Sequence, residues 1–330
     1  MKAILSAVCL LSASLCQLQA QAPAAPGVPP TLYAWAVFKP DPAIPNSGPR
    51  KEDAWVVAST KAAFAYYQQA PQAGAQPVRA NMADLQTLFI FEPQDYLEAI
   101  DLYEARKYEQ AKAALDKVSK KYAAITGVPN NPGVMASYYY MECLRKLSDL
   151  EGLRQALQTF KREDLTYKTH LQQLEIYLIW DAVRAKTWDK VLELTTAREA
   201  EKLPADQRAQ VAYCQGLAYE AQGKTTEALL ALQTAMTADA GDSEIVTRDA
   251  ALKLMSIIVA DAEVKEAIET FEASGGKTLT RGYTKLLQGA AVAGMFEQHL
   301  GSGMPLPSTY KGLLKFRKLP EQAEAEAAEE

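Results

Sequence analysis

Five small or apolar residues, Ala111, Leu153, Val191, Ala228 and Ala267, follow one another at intervals of 42, 38, 37 and 39 residues. Each falls in the second of two amphipathic segments joined by a short polar turn. Intervals of this length belong to helical-repeat architectures. A helix hairpin exposes an apolar face that it cannot bury alone, so successive hairpins must stack. The region 94–275 is therefore expected to be an all-α array of antiparallel helix pairs. At 330 residues, 48% hydrophobic and 23% charged, the chain has ordinary globular composition and is neither disordered nor collagen-like. Length alone suggests two domains, but the repeat points to one continuous array.

The flanks differ in character. Met1-Lys2, an apolar run over 3–16 and Gln17-Leu18-Gln19-Ala20 have the layout of a secretory signal peptide. Cleavage is expected after Ala20, with Ala22 as the alternative, so that 1–20 is a signal and the protein is exported, to a periplasm or beyond. The apolar run is shorter than the roughly 18–20 residues that span a membrane, a retained anchor being the other reading. Leu15 before Cys16 and Val8 before Cys9 do not suit a lipoprotein signal. Residues 21–50 hold eight prolines and read as an extended Pro/Ala-rich segment. Within it 32–38 has strand-like composition, although its shortness and flanking prolines favour packing onto a helical body over a sheet. Residues 51–93 read as N-terminal helices, one over 52–69 anchored by Trp55, Phe64 and Tyr67, and one over 82–91. Beyond the repeats, 276–318 reads as terminal helices or a cap, with one long apolar helix over 278–300 and a short basic one over 311–318. Residues 319–330 form an acidic, disordered tail whose glutamates account for the net charge of −5.

The segment Ala212-Tyr213-Cys214-Gln215-Gly216-Leu217-Ala218-Tyr219-Glu220-Ala221-Gln222-Gly223-Lys224-Thr225-Thr226-Glu227-Ala228, continuing to Leu232 and Ala235, resembles a tetratricopeptide repeat (TPR). Gly216 matches the small residue that lets the two helices touch, Tyr219 the aromatic wedge, Gly223 the turn, and Ala228 the small residue facing Gly216. A second match runs from Leu102 through Tyr103 and Ala111 to Leu115, departing at Arg106, where the family often has Gly. The stretches 138–160, 175–198 and 251–274 keep the spacing and the apolar positions. Together these cover more than half the chain, with intervals longer than the family's 34 residues. The resemblance implies a right-handed superhelix, a TPR-like α-solenoid, with the first helix of each pair on its concave face.

Most catalytic chemistry finds no support. Ser274-Gly275-Gly276-Lys277-Thr278 looks like the end of a phosphate-binding loop, but the first glycine of that motif would fall at Phe271, inside a helix. Gly223-Lys224-Thr225 fails similarly, and both read as turns capped by glycine. The two histidines, His170 and His299, suit surface or capping places at a helix start and a helix end. No cofactor and no metal site is expected. A chain without clustered Lys and Arg does not suit nucleic acid. No membrane span is expected in the mature chain. Cys143 and Cys214 fall in first helices two steps apart. At helix spacings of about 8–10 Å they lie beyond the Cα separation of about 7 Å that a disulfide tolerates, and both read as buried free thiols.

What remains is aromatic. On the repeat register the concave face collects Tyr96, Tyr103, Tyr138, Arg145, Ile176, Trp180, Arg184, Tyr213, Leu217 and Glu220. Tyrosine, tryptophan and arginine dominate binding hot spots, since they bury a large area and keep a polar tip. Several of these tyrosines could equally fill the core between repeats. The Lys/Asn clamp with which some TPR proteins hold a carboxylate tail is absent from this face, so a partner segment with apolar anchors is the better fit. The expectation is a non-catalytic protein-binding scaffold of the bacterial envelope. A self-associating structural protein is the alternative, and an envelope enzyme subunit is a further one.

Overall fold

The computed structural model describes residues 29–239, 244–301 and 304–317. The expected signal peptide, residues 21–28 of the Pro/Ala-rich segment and the acidic tail lie outside the described residues. The chain divides into two compact units, 1–171 and 172–330. Helix predominates, but the first unit also contains a five-stranded antiparallel sheet, which corrects the all-α expectation.

The strands are β1 (Leu32–Phe38), β2 (Arg50–Ser59), β3 (Ala63–Tyr67), β4 (Val78–Asn81) and β5 (Leu85–Ile90), ordered β4-β3-β2-β1-β5. Residues 32–38 are thus a strand between two partners, and the helices expected over 52–69 and 82–91 are strands with connecting turns. The reason lies in the side chains. Leu32, Ala34, Ala36 and Phe38 face inward and alternate with Tyr33, Trp35 and Val37, a period of two. Trp55, Val56, Val57, Phe64, Tyr66 and Tyr67 are aromatic or β-branched and suit a pleated surface. The two halves of 52–69 are parted by a turn in which Thr60 Oγ1 accepts from the amides of Ala62 and Ala63, at 3.3 and 3.2 Å.

A clasp joins the sheet to the helices that follow it in the same unit. Ser59 N–H donates to Ala124 O at 3.0 Å and Thr126 N–H to Ser59 O at 3.1 Å. The two hydroxyls repeat the exchange, each donating to the other residue's carbonyl at 2.8 Å. Gly127 must be glycine here: its φ is +72°, and a Cβ would stand 2.2 Å from Lys61 N.

Helix pairs then follow: α1 (Gln94–Glu104) with α2 (Tyr108–Lys121), α3 (Pro132–Lys146) with α4 (Leu150–Thr159), α5 (Lys168–Arg184) with α6 (Trp188–Glu199), and α7 (Ala205–Ala221) with α8 (Thr225–Ala238). All four first helices end in one way. Arg106, Ser148, Lys186 and Gly223 take positive φ, between 55° and 73°. Their amides donate to Tyr103, Arg145, Val183 and Glu220, while the next amides, of Lys107, Asp149, Thr187 and Lys224, reach back to Leu102, Leu144, Ala182 and Tyr219, all at 2.9–3.0 Å. This two-bond closure satisfies carbonyls that a helix end leaves orphaned. Five residues beyond each turn stands one of the marks read from the sequence, and Ala111, Leu153, Val191 and Ala228 are all buried.

The pair α9 (Glu244–Ala260) and α10 (Ala262–Ala273) connects differently, through Asp261, whose Oδ1 accepts from Glu263 N–H at 2.8 Å. Its mark, Ala267, is buried as well. The two-bond closure reappears at the end of α10, on Gly275 and Gly276, which places the phosphate-loop look-alike in a helix-capping turn. The long helix expected over 278–300 is shorter, α11 (Tyr283–Met295) followed by a π-helical turn over Phe296–Leu300. A short α12 (Ser308–Lys311) and a 3-10 turn (Gly312–Phe316) complete the described chain. Leu232, Leu254, Met255, Ile258, Leu286, Phe296 and Phe316 sit in one core.

Candidate functional site

The position ten residues before each turn residue is occupied by Tyr96, Tyr138, Ile176 and Tyr213. Tyr96, Tyr138 and Ile176 are buried and Tyr213 is partly so. These are the inward knobs of the first helices, and two clusters form around them.

In the first unit, α3 contributes Tyr138, Tyr139, Glu142 and Arg145. The guanidinium of Arg145 grips Glu142 with two bonds, Nε to Oε1 at 3.2 Å and Nη2 to Oε2 at 2.7 Å, with side chains only 5% and 8% exposed. Tyr103 of α1 donates its hydroxyl to Glu142 Oε2 at 3.4 Å. Rings surround the pair. Tyr103 meets Tyr139 edge-on at 5.1 Å, and Tyr138 stacks on His170 at 4.2 Å. Tyr167 meets His170 edge-on at 5.3 Å. Burial pushes the Tyr96 and Tyr103 hydroxyls well above the usual phenol range, the neighbouring Tyr139 adding to the first and the Glu142 charge to the second. Both phenols are held neutral, and that of Tyr103 serves as a donor. His170, expected at a surface or cap, lies in the first turn of α5 against Tyr138, with its Nδ1 buried and unbonded. Burial lowers its pKa, against an opposing pull from Glu142.

In the second unit, Gln173 and Gln210 bond each other reciprocally at 2.9 and 3.1 Å, and Trp180 Nε1 donates to Gln210 Oε1 at 3.1 Å. Trp180 carries Tyr213 against it at 5.9 Å. Burial raises the pKa of Tyr213, helped by Asp249, whose own carboxyl burial holds above the usual range against the pull of Arg248. Arg184 donates to Asp181 at 2.9 Å, and Glu220 of α7 pairs with Lys253 of α9 at 2.8 Å. Leu217 lies partly buried on α7. Gly216 is the close contact of α7 with α8: a Cβ there would come within 2.8 Å of Leu232.

Of the ten residues read from the sequence, Tyr96, Tyr138, Arg145, Ile176 and Trp180 are buried in internal contacts. Tyr103, Arg184, Tyr213, Leu217 and Glu220 keep part of their surface. The sequence reading did not place Tyr139, Glu142, Tyr167, Gln173 or Gln210 in these clusters, and it read His170 only as a surface or capping residue. The glutamines carried a signal, since their spacing of 37 equals that of the turns at Lys186 and Gly223. Glu142 carried a weaker one, three residues before Arg145 on a helix face.

Cys143 and Cys214 are buried and not joined in a disulfide, as the spacing suggested. Among the described residues no group of three or more His, Cys, Asp or Glu is arranged to hold a metal ion. No described helix is long and apolar enough to cross a membrane. A comparison with known protein families, with curated proteins and with solved structures returns no match.

Proposed function

We propose that this chain is an exported, non-catalytic protein-binding scaffold of a bacterial envelope, its helix pairs stacking as a TPR-like right-handed superhelix. The observation that carries the reading is the recurrence of one turn: four pairs close with the same two backbone bonds and the same left-handed residue. Antiparallel pairs closed by one kind of turn are the unit that repeat proteins stack into an extended surface. The half-buried side chains of the first helices, Tyr103 in one unit and Arg184, Tyr213, Leu217 and Glu220 in the other, then meet a partner segment. The buried residues of both clusters hold them in place. Tyrosine and arginine over a packed base form the usual anchor of such an interface.

In-cell crosslinking with mass spectrometry tests this, comparing the wild type with an Arg184→Ala/Tyr213→Ala variant of unchanged helical circular dichroism. The expected result is one heterologous protein recovered by the wild type and at least tenfold less by the variant. Equal recovery removes the first-helix surface from consideration, and self-crosslinks alone favour a structural, self-associating protein.

A further inference from the structure

The sheet of the first unit has two unlike edges. β4 is four residues long, almost wholly exposed and carries Arg79, the short charged kind of edge that discourages further pairing. β5 runs six residues, Leu85-Gln86-Thr87-Leu88-Phe89-Ile90, with neither charge nor proline. Phe91 N–H donates to Tyr33 O at 2.9 Å. Bonded and unbonded pairs alternate along an antiparallel ladder. Phe89 therefore pairs with Trp35 in the same way, while the amides and carbonyls of Leu88 and Ile90 point away from β1. Among the described residues nothing bonds them.

A cavity of about 470 Å³ opens along this edge, from Leu88 to Glu92. Its far wall is the loop 128–132 with Met135 and Tyr167. That wall is braced. Gly127 N–H donates to both carboxylate oxygens of Asp164 at 2.9 Å, Asn130 N–H to the Asp164 carbonyl at 2.7 Å, and the Asn130 side chain exchanges bonds with Thr166 at 2.7 and 2.9 Å. Five extended residues, 88–92, span roughly 17 Å, the length of one short strand laid along the edge. A second copy of this protein would have to bring its own β5 into the cleft together with the same loop wall. Two more features describe the occupant. Phe89 stands 53% exposed beside Trp35 on the outer face of the sheet. Glu92, at the end of the cavity, has no cation at ion-pair distance among the described residues.

We propose that this cleft takes an extended segment of a partner polypeptide as a sixth strand, bonded to the backbone of Leu88 and Ile90. Alternate apolar side chains of the segment lie against Phe89, and a lysine or arginine meets Glu92. Main-chain bonds supply affinity in this mode, and pockets for alternate side chains supply choice. The cleft is lined in part by Tyr96 of α1 and Met135 of α3 but by none of Tyr103, Arg184, Tyr213, Leu217 and Glu220, so either proposal can fail alone.

The test is a phage-displayed decapeptide library selected on the full exported chain. Leu88→Pro deletes only an outward amide, a change an edge strand tolerates. Phe89→Lys puts a charge on the edge without removing an amide, and serves if the first variant does not fold. The expected outcome is enrichment of alternating peptides with a basic residue, binding at least tenfold weaker to either variant. Amide exchange of Leu88 and Ile90 should slow at least tenfold when the peptide binds. No enrichment, undiminished binding to the variants, or protection confined to other amides overturns the proposal. So does a wild-type dimer in light scattering that Leu88→Pro makes monomeric, since the edge is then closed by a second copy.

Discussion

His170 is an ionisable ring placed where protonation has no outlet: one face stacks on Tyr138, Tyr167 meets it edge-on, and its buried Nδ1 has no partner. Burial lowers its pKa from the ordinary 6.5, so it folds as the neutral ring. The direction of the pH effect follows. Below about pH 6.5 the unfolded chain takes up a proton that the folded chain refuses, so stability falls with pH until the folded pKa is reached. His170→Phe keeps the stacking and removes the proton. Denaturant melts from pH 7 to pH 5 should show the variant gaining on the wild type as pH falls, and parallel curves would contradict the assignment. Glu142 and Arg145 make the opposite point: a buried charge pair survives only because each atom is gripped, and losing one partner typically costs about 3–5 kcal/mol. The sequence showed Arg145 as a surface anchor because arginine usually is one. That Glu142 draws it inward depends on Tyr103 and the surrounding rings, which no spacing along α3 reveals.

The turn is the most legible element in this chain. The marks at Ala111, Leu153, Val191 and Ala228 were visible because they are small, apolar and evenly spaced, and each lies five residues beyond a left-handed residue. Of the four turns, glycine occupies that place only at Gly223. Arg106, Ser148 and Lys186 hold the same conformation with a Cβ, a strain that glycine avoids. Ser148→Gly should therefore stabilise by about 0.5–1 kcal/mol, and Gly223→Ala, which has open space for its methyl group, should destabilise by about 1 kcal/mol through φ alone. Urea unfolding of the two variants checks both signs. Of the strands, only 32–38 shows strand-like composition, and even there packing onto a helical body is the favoured reading. Alanines at 34, 36, 54, 58, 63 and 65 dilute the alternation of apolar and polar residues, and β-propensity depends on neighbours across the sheet that a single segment does not display.

At the scale of the molecule, each unit holds one buried thiol among the described residues, Cys143 in the first and Cys214 in the second. Burial pushes the Cys143 thiol up to about 12, far from the thiolate that reacts. The two cysteines are thus separate reporters of the two cores. Labelling with a thiol reagent, read by peptide mass, should leave both unmodified in the native protein and modify both on unfolding. Rapid native labelling of either would show that its core opens. The division into two units was not legible, because the repeat marks continue evenly from 111 to 267 across it, although length alone had suggested two domains. The clasp between Ser59 and Thr126 has a consequence in time. A chain delivered from its N-terminus completes five strands before the residues that fasten them have arrived. The sheet, whose inner side carries Leu32, Ala34, Ala36 and Val56, is tied down at Ser59 only by a residue 67 positions further along. The clasp is therefore a contact that waits on synthesis: the five strands precede the residue that fastens them.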